Sequence, residues 1–251
     1  MPTRKIAEDM LAQLVDTEKA STCGLDSRRD YFDMHRARFA DILGLCRSYV
    51  PDPSARVLDI GRSELTACLR NYYNNIHTLG LDISIDDGGH REVTEMNAVP
   101  HITYDLLDSH IPSSWPECGK FDLIVFSEVL EHLCVAPEFV FAALGSLLAE
   151  GGVLICSTPN AADFAKRVHL ALGRNAYERL RLYANNPGHI REYTRQELYE
   201  IAGSVGLRCK SHAYFNWAQN LRANPIKAAA MQLFRAYPPF RRFQVCVLTA
   251  K

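Results

Sequence analysis

The sequence has no C-x-x-C pair, although it contains eight cysteines. Metal clusters and disulfide frameworks depend on closely placed cysteines, so we expect neither, and separated thiols are typical of a reduced cytoplasm. No stretch approaches the roughly 20 apolar residues that cross a bilayer. The first nine residues also lack the apolar core of a secretory leader. We therefore expect a cytoplasmic protein without a transmembrane segment.

The sequence also lacks an excess of charge of either sign. Its 28 basic and 29 acidic residues give a net charge of −1, which offers no general attraction for nucleic acid and makes such a partner unexpected. A hydrophobic content of 47% over 251 residues is sufficient for a full core. These values indicate an ordinary globular protein and leave its oligomeric state open.

Short apolar runs alternate with helical stretches from residue 55 onward. Such alternation predicts an α/β fold with a mostly parallel sheet and helices on both faces. Thr194 and Glu197 form a capping-box pattern at the start of one predicted helix. The predicted strands are 55–60, 76–81, 100–104, 121–126, 152–157, 207–214 and 243–249, and the predicted helices are 63–73, 136–149 and 195–205.

Two prolines, Pro51 and Pro53, end a helical N-terminal region. Apolar residues at helical spacing predict one helix over 4–20 and a second over 28–49. We therefore divide the chain into a helical cap, 1–53, and a main domain, 54–251.

Two segments of the main domain, 159–192 and 218–242, are longer than simple connections between strands. Both follow predicted strands. We expect them to lie near the carboxyl edge of the sheet, where a substrate cap belongs.

The clearest ligand-binding signal lies between the first predicted strand and the first predicted helix. The strand carries Asp59 near its end, and Gly61 follows where the chain must turn. Glycine permits a sharp turn and allows a ligand to approach the backbone closely. The second strand ends at Asp82, whose carboxylate can accept hydrogen bonds from two ribose hydroxyls.

A dinucleotide is disfavoured because the G-x-G-x-x-G fingerprint is missing. The loop reads Gly61-Arg62-Ser63-Glu64-Leu65, and Glu64 lies where it would repel a pyrophosphate. The loop is suited to a nucleoside without phosphates, so a nicotinamide-dependent dehydrogenase is the least favoured interpretation.

This loop resembles the first motif of class I S-adenosylmethionine (SAM)-dependent methyltransferases, typically D-x-G-x-G-x-G. Asp59 and Gly61 match it, whereas Ser63 and Leu65 replace the later glycines. The serine is expected to adopt glycine-like geometry or to shift the loop. The resemblance continues to about residue 206 through E-V-L-E-H, G-G-V-L-I-C-S-T-P-N and H-I-R-E-Y-T. It implies a Rossmann-like, seven-stranded sheet with an antiparallel last strand and SAM as cofactor.

The resemblance also implies the cofactor contacts. Asp82 would bind the ribose, with Ile83 against the adenine, and Asp105 would accept from the adenine amine. A strand-end aspartate such as Asp105 can equally be no more than a helix cap. The expected cofactor-binding residues are Asp59, Gly61, Ser63, Asp82, Ile83, Asp105, Leu106 and Ser127.

The E-V-L-E-H segment offers a possible metal site. Glu128, Glu131 and His132 at i, i+3 and i+4 share a face on one helical turn, and His189 can supply a fourth ligand. This spacing, with a distant H-x-x-E-[WY]-T, also resembles RNA 3′-terminal 2′-O-methyltransferases. In those enzymes two acids and two histidines hold a divalent ion, here Mg²⁺ or Mn²⁺. The alternative is a structural turn in which Glu131 or His132 bonds to backbone.

Without an ion, His132 or His189 is the expected catalytic base, because an imidazole titrates near neutral pH. The first interpretation is a SAM-dependent O-methyltransferase acting on a hydroxyl of a small molecule, such as a glycan, a lipid-linked compound or a secondary metabolite. The second is a metal-dependent RNA 2′-O-methyltransferase. The third is a methyltransferase-like binding module without catalysis, which the replaced glycines motivate. The identity of the acceptor stays open, and so does whether the methylated atom is oxygen, nitrogen or carbon.

Overall fold

The computed structural model describes residues 28–81, 98–182, 187–217, 229, 232–233 and 236–250. Its principal helices are α1 (Arg28–Tyr49), α2 (Glu64–Arg70), α3 (Pro137–Ser146), α4 (Phe164–Ala171) and α5 (Arg195–Ser204). Its strands are β1 (Arg56–Ile60), β2 (Asn75–Gly80), β3 (His101–Thr103), β4 (Phe121–Ser127), β5 (Leu148–Pro159), β6 (Leu207–Phe215) and β7 (Phe243–Ala250).

The strands form one seven-stranded sheet in the order β3-β2-β1-β4-β5-β7-β6. Strands β1 to β5 run parallel to one another. The last strand, β7, runs antiparallel to both of its neighbours, β5 and β6. The predicted sheet is therefore confirmed, including its seven strands and its antiparallel last strand.

Apolar side chains alternate along the central strands and supply a core on each face of the sheet. On one face, Phe126 of β4 packs with Phe141 of α3 and with residues of α5. On the other, Val57 of β1 packs with Phe39 of α1 and Leu65 of α2. Burial on both faces explains why β1 and β4 read as nearly continuous apolar runs.

The helix predicted over 28–49 is present as α1, and it shares a core with the sheet. At its middle, Asp41 accepts a hydrogen bond of 2.8 Å from the indole of Trp217. The helix predicted over 4–20 and most of 218–242 lie outside the described residues. The division into 1–53 and 54–251 remains a prediction.

The helix predicted over 136–149 ends earlier than expected, at Ser146. Leu148 already pairs with Phe121 of β4, so β5 begins where the prediction still had helix. Within 159–182, the described helix is limited to α4, and leucines beyond it such as Leu180 are exposed. Among the described residues, no helix combines the length and apolar character needed to span a bilayer.

Candidate active site

The loop after β1 turns at a glycine that no other residue could replace without strain. Gly61 has a φ of 99°, and its N–H donates a 2.7 Å hydrogen bond to the carbonyl of Leu79 on the neighbouring strand β2. A Cβ at this position would meet no atom of the described residues within 4 Å, so the requirement is for the backbone conformation rather than for space.

Two outcomes were expected for Ser63, glycine-like geometry or a shifted loop, and the structure excludes the first. Its backbone is extended, with φ −155° and ψ −178°, and it caps α2. Its Oγ accepts from the N–H of Leu65 at 3.2 Å, and its own N–H donates to Oγ1 of Thr66 at 3.1 Å. Leu65, 3% exposed, belongs to the core. The two replaced glycines thus serve as a helix cap and as a core residue.

Asp59 lies inside the protein and fixes this loop from below. Its carboxylate accepts a 2.5 Å hydrogen bond from Oγ1 of Thr66, which itself accepts from the N–H of Ser63. Burial raises the pKa of Asp59 to about 7, although the hydrogen bond from Thr66 opposes that rise. Two successive hydrogen bonds, from Ser63 to Thr66 and from Thr66 to Asp59, therefore hold the loop.

Of the other expected cofactor-binding residues, Asp82 and Ile83 lie outside the described residues, whereas Asp105 and Leu106 lie within them. Asp105 caps the short 3₁₀-helix Leu106–His110 by accepting from the N–H of Leu107 at 2.9 Å, which is the ordinary role of a strand-end aspartate. Leu106 itself is buried.

Ser127 ends β4 next to the loop. Its hydroxyl lies 2.9 Å from that of Ser157 on β5. Asp59 pairs with Val125, so continuing this register brings Gly61 beside Ser127, on an adjacent strand about 4.8 Å away. The loop and the segment after β4 therefore share one edge of the sheet.

The E-V-L-E-H segment is a 3₁₀ turn, Leu130–His132, rather than the helical turn that we expected. Glu128 precedes it with a φ of 54°, which is uncommon for a residue with a side chain. Its carboxylate accepts a 2.8 Å hydrogen bond from Ser157 and lies 3.8 Å from the guanidinium of Arg38 on α1. Burial raises the pKa of Glu128, and Arg38 opposes that rise.

Glu131 is the most buried acid of this segment, at 1% exposure. Its Oε2 accepts a 3.0 Å hydrogen bond from Thr158, whereas Oε1 has no hydrogen-bond partner among the described residues. Burial, and then the neighbouring Glu128, raise its pKa well above the ordinary value. Oε1 lies 3.9 Å from Nε2 of His132.

Two histidines meet beside Glu131. The rings of His132 and His189 lie 5.0 Å apart at 74°. Nδ1 of His132 lies 2.9 Å from the carbonyl of Gly188, which can only accept, so Nδ1 carries the proton and Nε2 of the neutral ring keeps its lone pair. Burial lowers the pKa of His132, which favours this neutral form at pH 7.

His189 is oriented in the same way by an acid. Its Nδ1 lies 3.1 Å from Oε1 of Glu192. Glu192 forms an ion pair with Lys166, whose ammonium also lies 3.0 Å from Asp163. Burial alone would raise the pKa of Glu192, but the hydrogen bonds from His189 and Lys166 outweigh it and hold that pKa below its ordinary value.

The metal-binding potential of the cluster follows from these contacts. One ligand atom each of Glu131, His132 and His189 lies within 4.8 Å of the other two, and Glu128 is not part of this group. Both histidines have Nδ1 engaged, which is how proteins orient metal-binding imidazoles, and Oε1 of Glu131 is buried with no donor among the described residues. Each of the three residues can therefore offer one ligand atom to a divalent ion.

Comparison with known proteins decides the family. A family model described as a methyltransferase domain matches residues 32–212, which is more than half of the chain. The chain belongs to this methyltransferase family. No curated protein matches it in sequence.

The fold of this methyltransferase recurs in many solved structures. The N-methyltransferase NodS from Bradyrhizobium japonicum WM9, in complex with S-adenosyl-L-homocysteine, has a TM-score of 0.54 at 15% identity, over 86% of this chain and 87% of that chain. Magnesium protoporphyrin IX methyltransferase (ChlM) from Synechocystis PCC 6803, with the same compound bound, has a TM-score of 0.55 at 15% identity, over 87% of this chain and 84% of that chain. An O-methyltransferase family protein from Burkholderia thailandensis has a TM-score of 0.54 at 14% identity, over 89% of this chain and 59% of that chain.

Sequence reasoning missed two residues that support the methyltransferase site. Glu192 and Lys166 hold His189, yet neither was assigned a role. The spacing of His189 and Glu192 at i and i+3 in H-I-R-E-Y-T was a usable signal for the first contact. Lys166 left no such signal, because it reaches Glu192 from α4 only after the chain has folded back.

Proposed function

We propose that this methyltransferase transfers the methyl group of SAM to a hydroxyl of a small molecule. The cofactor assignment is supported by the loop at Gly61, which lacks the pyrophosphate fingerprint and turns at a positive φ at the end of β1. It is also supported by the S-adenosyl-L-homocysteine in two of the similar structures. In this proposal Asp59 and Ser63 hold the loop, Asp82 and Ile83 bind the nucleoside, and Asp105, Leu106 and Ser127 line the same pocket.

The observation that carries oxygen as the acceptor atom is the pair formed by His189 and Glu192. A hydroxyl must lose its proton during methyl transfer, and a neutral imidazole backed by a carboxylate can take it. Nδ1 of His189 faces Glu192 at 3.1 Å, so Nε2 is the nitrogen available for that proton. His189 is 27% exposed and can therefore meet an acceptor.

The transfer proceeds by in-line displacement. An oxygen lone pair of the acceptor attacks the methyl carbon while the carbon–sulfur bond breaks, and the sulfonium becomes the neutral thioether of S-adenosylhomocysteine. The hydroxyl proton passes to Nε2 of His189, where Glu192 stabilises the imidazolium. His132, kept neutral by its depressed pKa, adds no positive charge beside it. Holding acceptor and donor in line contributes much of the rate.

Two measurements test this proposal. Titration calorimetry with SAM and with S-adenosylhomocysteine is expected to show saturable binding to the full chain. A screen of hydroxyl acceptors with radiolabelled SAM then measures turnover, and His189→Ala is expected to lower kcat about 10²- to 10⁴-fold, as loss of a catalytic base does. His169→Ala, which removes an exposed histidine on α4, is the matched control.

The outcomes separate the interpretations. If neither compound gives heat, the methyl-transfer proposal is wrong. Binding of SAM without turnover on any hydroxyl acceptor favours the non-catalytic binding module. Turnover that is confined to amine or carbon acceptors rules out the O-methyltransferase.

A metal-dependent reaction, including methylation of an RNA 2′-hydroxyl, is the second candidate. It is favoured by Oε1 of Glu131, which is buried without a donor beside the two histidines. Glu131, His132 and His189 would hold the ion, with Glu128 nearby. A bound divalent ion would lower the pKa of an acceptor hydroxyl and orient it.

The test for the ion does not need a substrate. Mg²⁺ or Mn²⁺ is expected to raise the unfolding temperature of the protein alone if the site binds it, and Glu131→Gln is expected to abolish that rise. Equal responses of the wild type and Glu131→Gln exclude this site. In that case, methyl transfer unaffected by a chelator supports the histidine base alone.

A further inference from the structure

A cavity of about 440 Å³ lies outside the cluster described above, beside the end of β5. β5 ends where β7 begins and β6 ends, since Pro159 and Phe215 both pair with Phe243. This places the cavity at the same sheet edge as the Gly61 loop. None of its lining residues is acidic, and those that matter here are Asn160, Arg167, Thr194, Arg195, Tyr199 and Tyr214.

Two guanidinium groups give the cavity its charge. Arg167 donates from Nε to the carbonyl of Ala162 at 2.5 Å, and Arg195 lies over the ring of Tyr199 at 5.0 Å. In the described part of the chain, neither arginine has a carboxylate within 4 Å, whereas nearby Arg191 lies 2.6 Å from Glu197. The two positive charges of the cavity are therefore not neutralised by described acids.

Tyr214 lines the cavity together with the two arginines. Burial raises the pKa of Tyr214, and Arg195 and Arg167 oppose that rise. Positive charge beside the cavity, with no acidic lining residue, favours an anion.

The floor of the cavity is rigid. Asn160 is 2% exposed, and its amide donates to the carbonyls of Pro239 and Arg241 at 2.9 Å each. Its Oδ1 accepts from the N–H of Ala162 at 3.0 Å, next to the carbonyl that holds Arg167. A preorganised floor of this kind reduces the ordering cost of binding.

The cavity is connected to the proposed base by a short series of contacts. The ammonium of Lys166 donates to the carbonyl of Asn160 at 2.9 Å and pairs with Glu192, which in turn holds His189. The cavity wall and the support of His189 thus share Lys166. These contacts link the cavity to His189 through two side chains, Lys166 and Glu192.

We propose that this cavity binds a phosphate group carried by the methyl acceptor, an assignment that rests on the methyl-transfer function proposed above. Guanidinium groups bind phosphate oxygens through paired N–H donors, and two of them match the charge of a phosphate monoester better than that of a single carboxylate. The substrate class is therefore a phosphorylated small molecule whose hydroxyl is methylated.

Inorganic phosphate is the probe for this site. Calorimetric titration of the full chain with phosphate, at constant ionic strength, is expected to show saturable binding that is tighter than that of acetate. Arg167→Gln and Arg195→Gln are each expected to weaken phosphate binding about tenfold or more, because each loses charge-assisted hydrogen bonds. Arg208→Gln removes an exposed arginine of β6 that does not line the cavity, and its phosphate affinity is expected to be unchanged.

The proposal is overturned if Arg167→Gln and Arg195→Gln bind phosphate as tightly as the wild type and the control Arg208→Gln do. It is also overturned if acetate binds as tightly as phosphate. Thermal unfolding shows whether each variant is folded. If Arg195→Gln does not fold, Arg195→Lys, which keeps the charge but loses the paired donors, is expected to weaken phosphate binding severalfold. SAM titration of the same samples separates the two proposals: SAM binding without phosphate binding overturns this one alone, and absent SAM binding overturns the proposed function.

Discussion

Glu131 and Glu192 are two buried carboxylates on either side of the same pair of histidines, and they are held in opposite ways. Glu192 contacts Lys166 and His189, and its pKa lies below the ordinary value in spite of burial. Among the described residues, the carboxylate of Glu131 accepts from the hydroxyl of Thr158 and faces Glu128, and its pKa lies well above the ordinary value. The difference lies in a cation in direct contact: Lys166 pairs with Glu192, whereas Arg38 opposes the rise in the pKa of Glu131 without outweighing burial.

Asp59 extends the comparison to a third buried carboxylate. It too accepts from a single hydroxyl, that of Thr66, and burial raises its pKa to about 7. A hydroxyl donor therefore does not replace a cation as compensation for burial. Glu192 is consequently an ionised support for the proposed base, His189, whereas burial favours the protonated form of Glu131.

The largest effect is expected from removing the cation beside Glu192. Lys166→Met leaves a buried carboxylate unpaired, and we expect a loss of about 3 kcal/mol in the free energy of unfolding. Urea denaturation followed by circular dichroism measures it. The double variant Lys166→Met/Glu192→Gln is expected to recover part of this loss, because Glu192 is then uncharged and only Asp163, which still accepts from the backbone N–H of residue 166, has lost its cation. A double variant as unstable as the single one contradicts the assignment.

A smaller effect is expected at Asp59. Thr66→Val keeps the shape of the side chain but removes the hydroxyl that both donates to Asp59 and accepts from Ser63. We expect a loss of about 1–3 kcal/mol in the free energy of unfolding, the cost of leaving a buried group unsatisfied. A weaker SAM affinity in calorimetry is expected as well, since the loop is released. Thr66→Ser retains the hydroxyl, and it should retain most of both quantities.

The smallest effect is expected at Glu131, and it depends on pH. A carboxyl whose pKa is raised by folding stabilises the protein below its unfolded pKa and loses that contribution as pH rises toward its folded pKa. Glu131→Gln removes this dependence. We expect the variant to match the wild type near pH 4 and to be roughly 1 kcal/mol more stable at pH 7. Unfolding curves at several pH values measure the difference, and an unchanging difference across pH contradicts the raised pKa.

The sheet could be predicted from the sequence because central strands such as β1 and β4 are buried on both faces and read as nearly continuous apolar runs. Gly61 could be identified because the sharp turn after β1 requires glycine, and the structure shows a positive φ there. The sequence left two alternatives for Ser63, because the D-x-G-x-G-x-G pattern does not say which glycine carries the positive φ. The structure assigns that conformation to Gly61 and an ordinary helix cap to Ser63.

The arrangement of Glu128 and Glu131 could be predicted from the sequence only in part. The expectation that Glu128 shares a helical face with Glu131 and His132 assumed regular helix, yet Glu128 lies before the turn with a positive φ. The register between β4 and β5 aligns Ser127 with Ser157, and Ser157 holds Glu128. Contacts of that kind join residues about thirty positions apart, and no local pattern encodes them.

The contact between Arg38 and Glu128 means that α1 forms part of the candidate site as well as covering the sheet. A shortened chain that starts at the first strand would keep the loop at Gly61, yet it would expose Val57 and Leu65 and leave Glu128 without its guanidinium neighbour. We therefore expect that a shortened chain keeps the candidate site intact only if it begins upstream of residue 38.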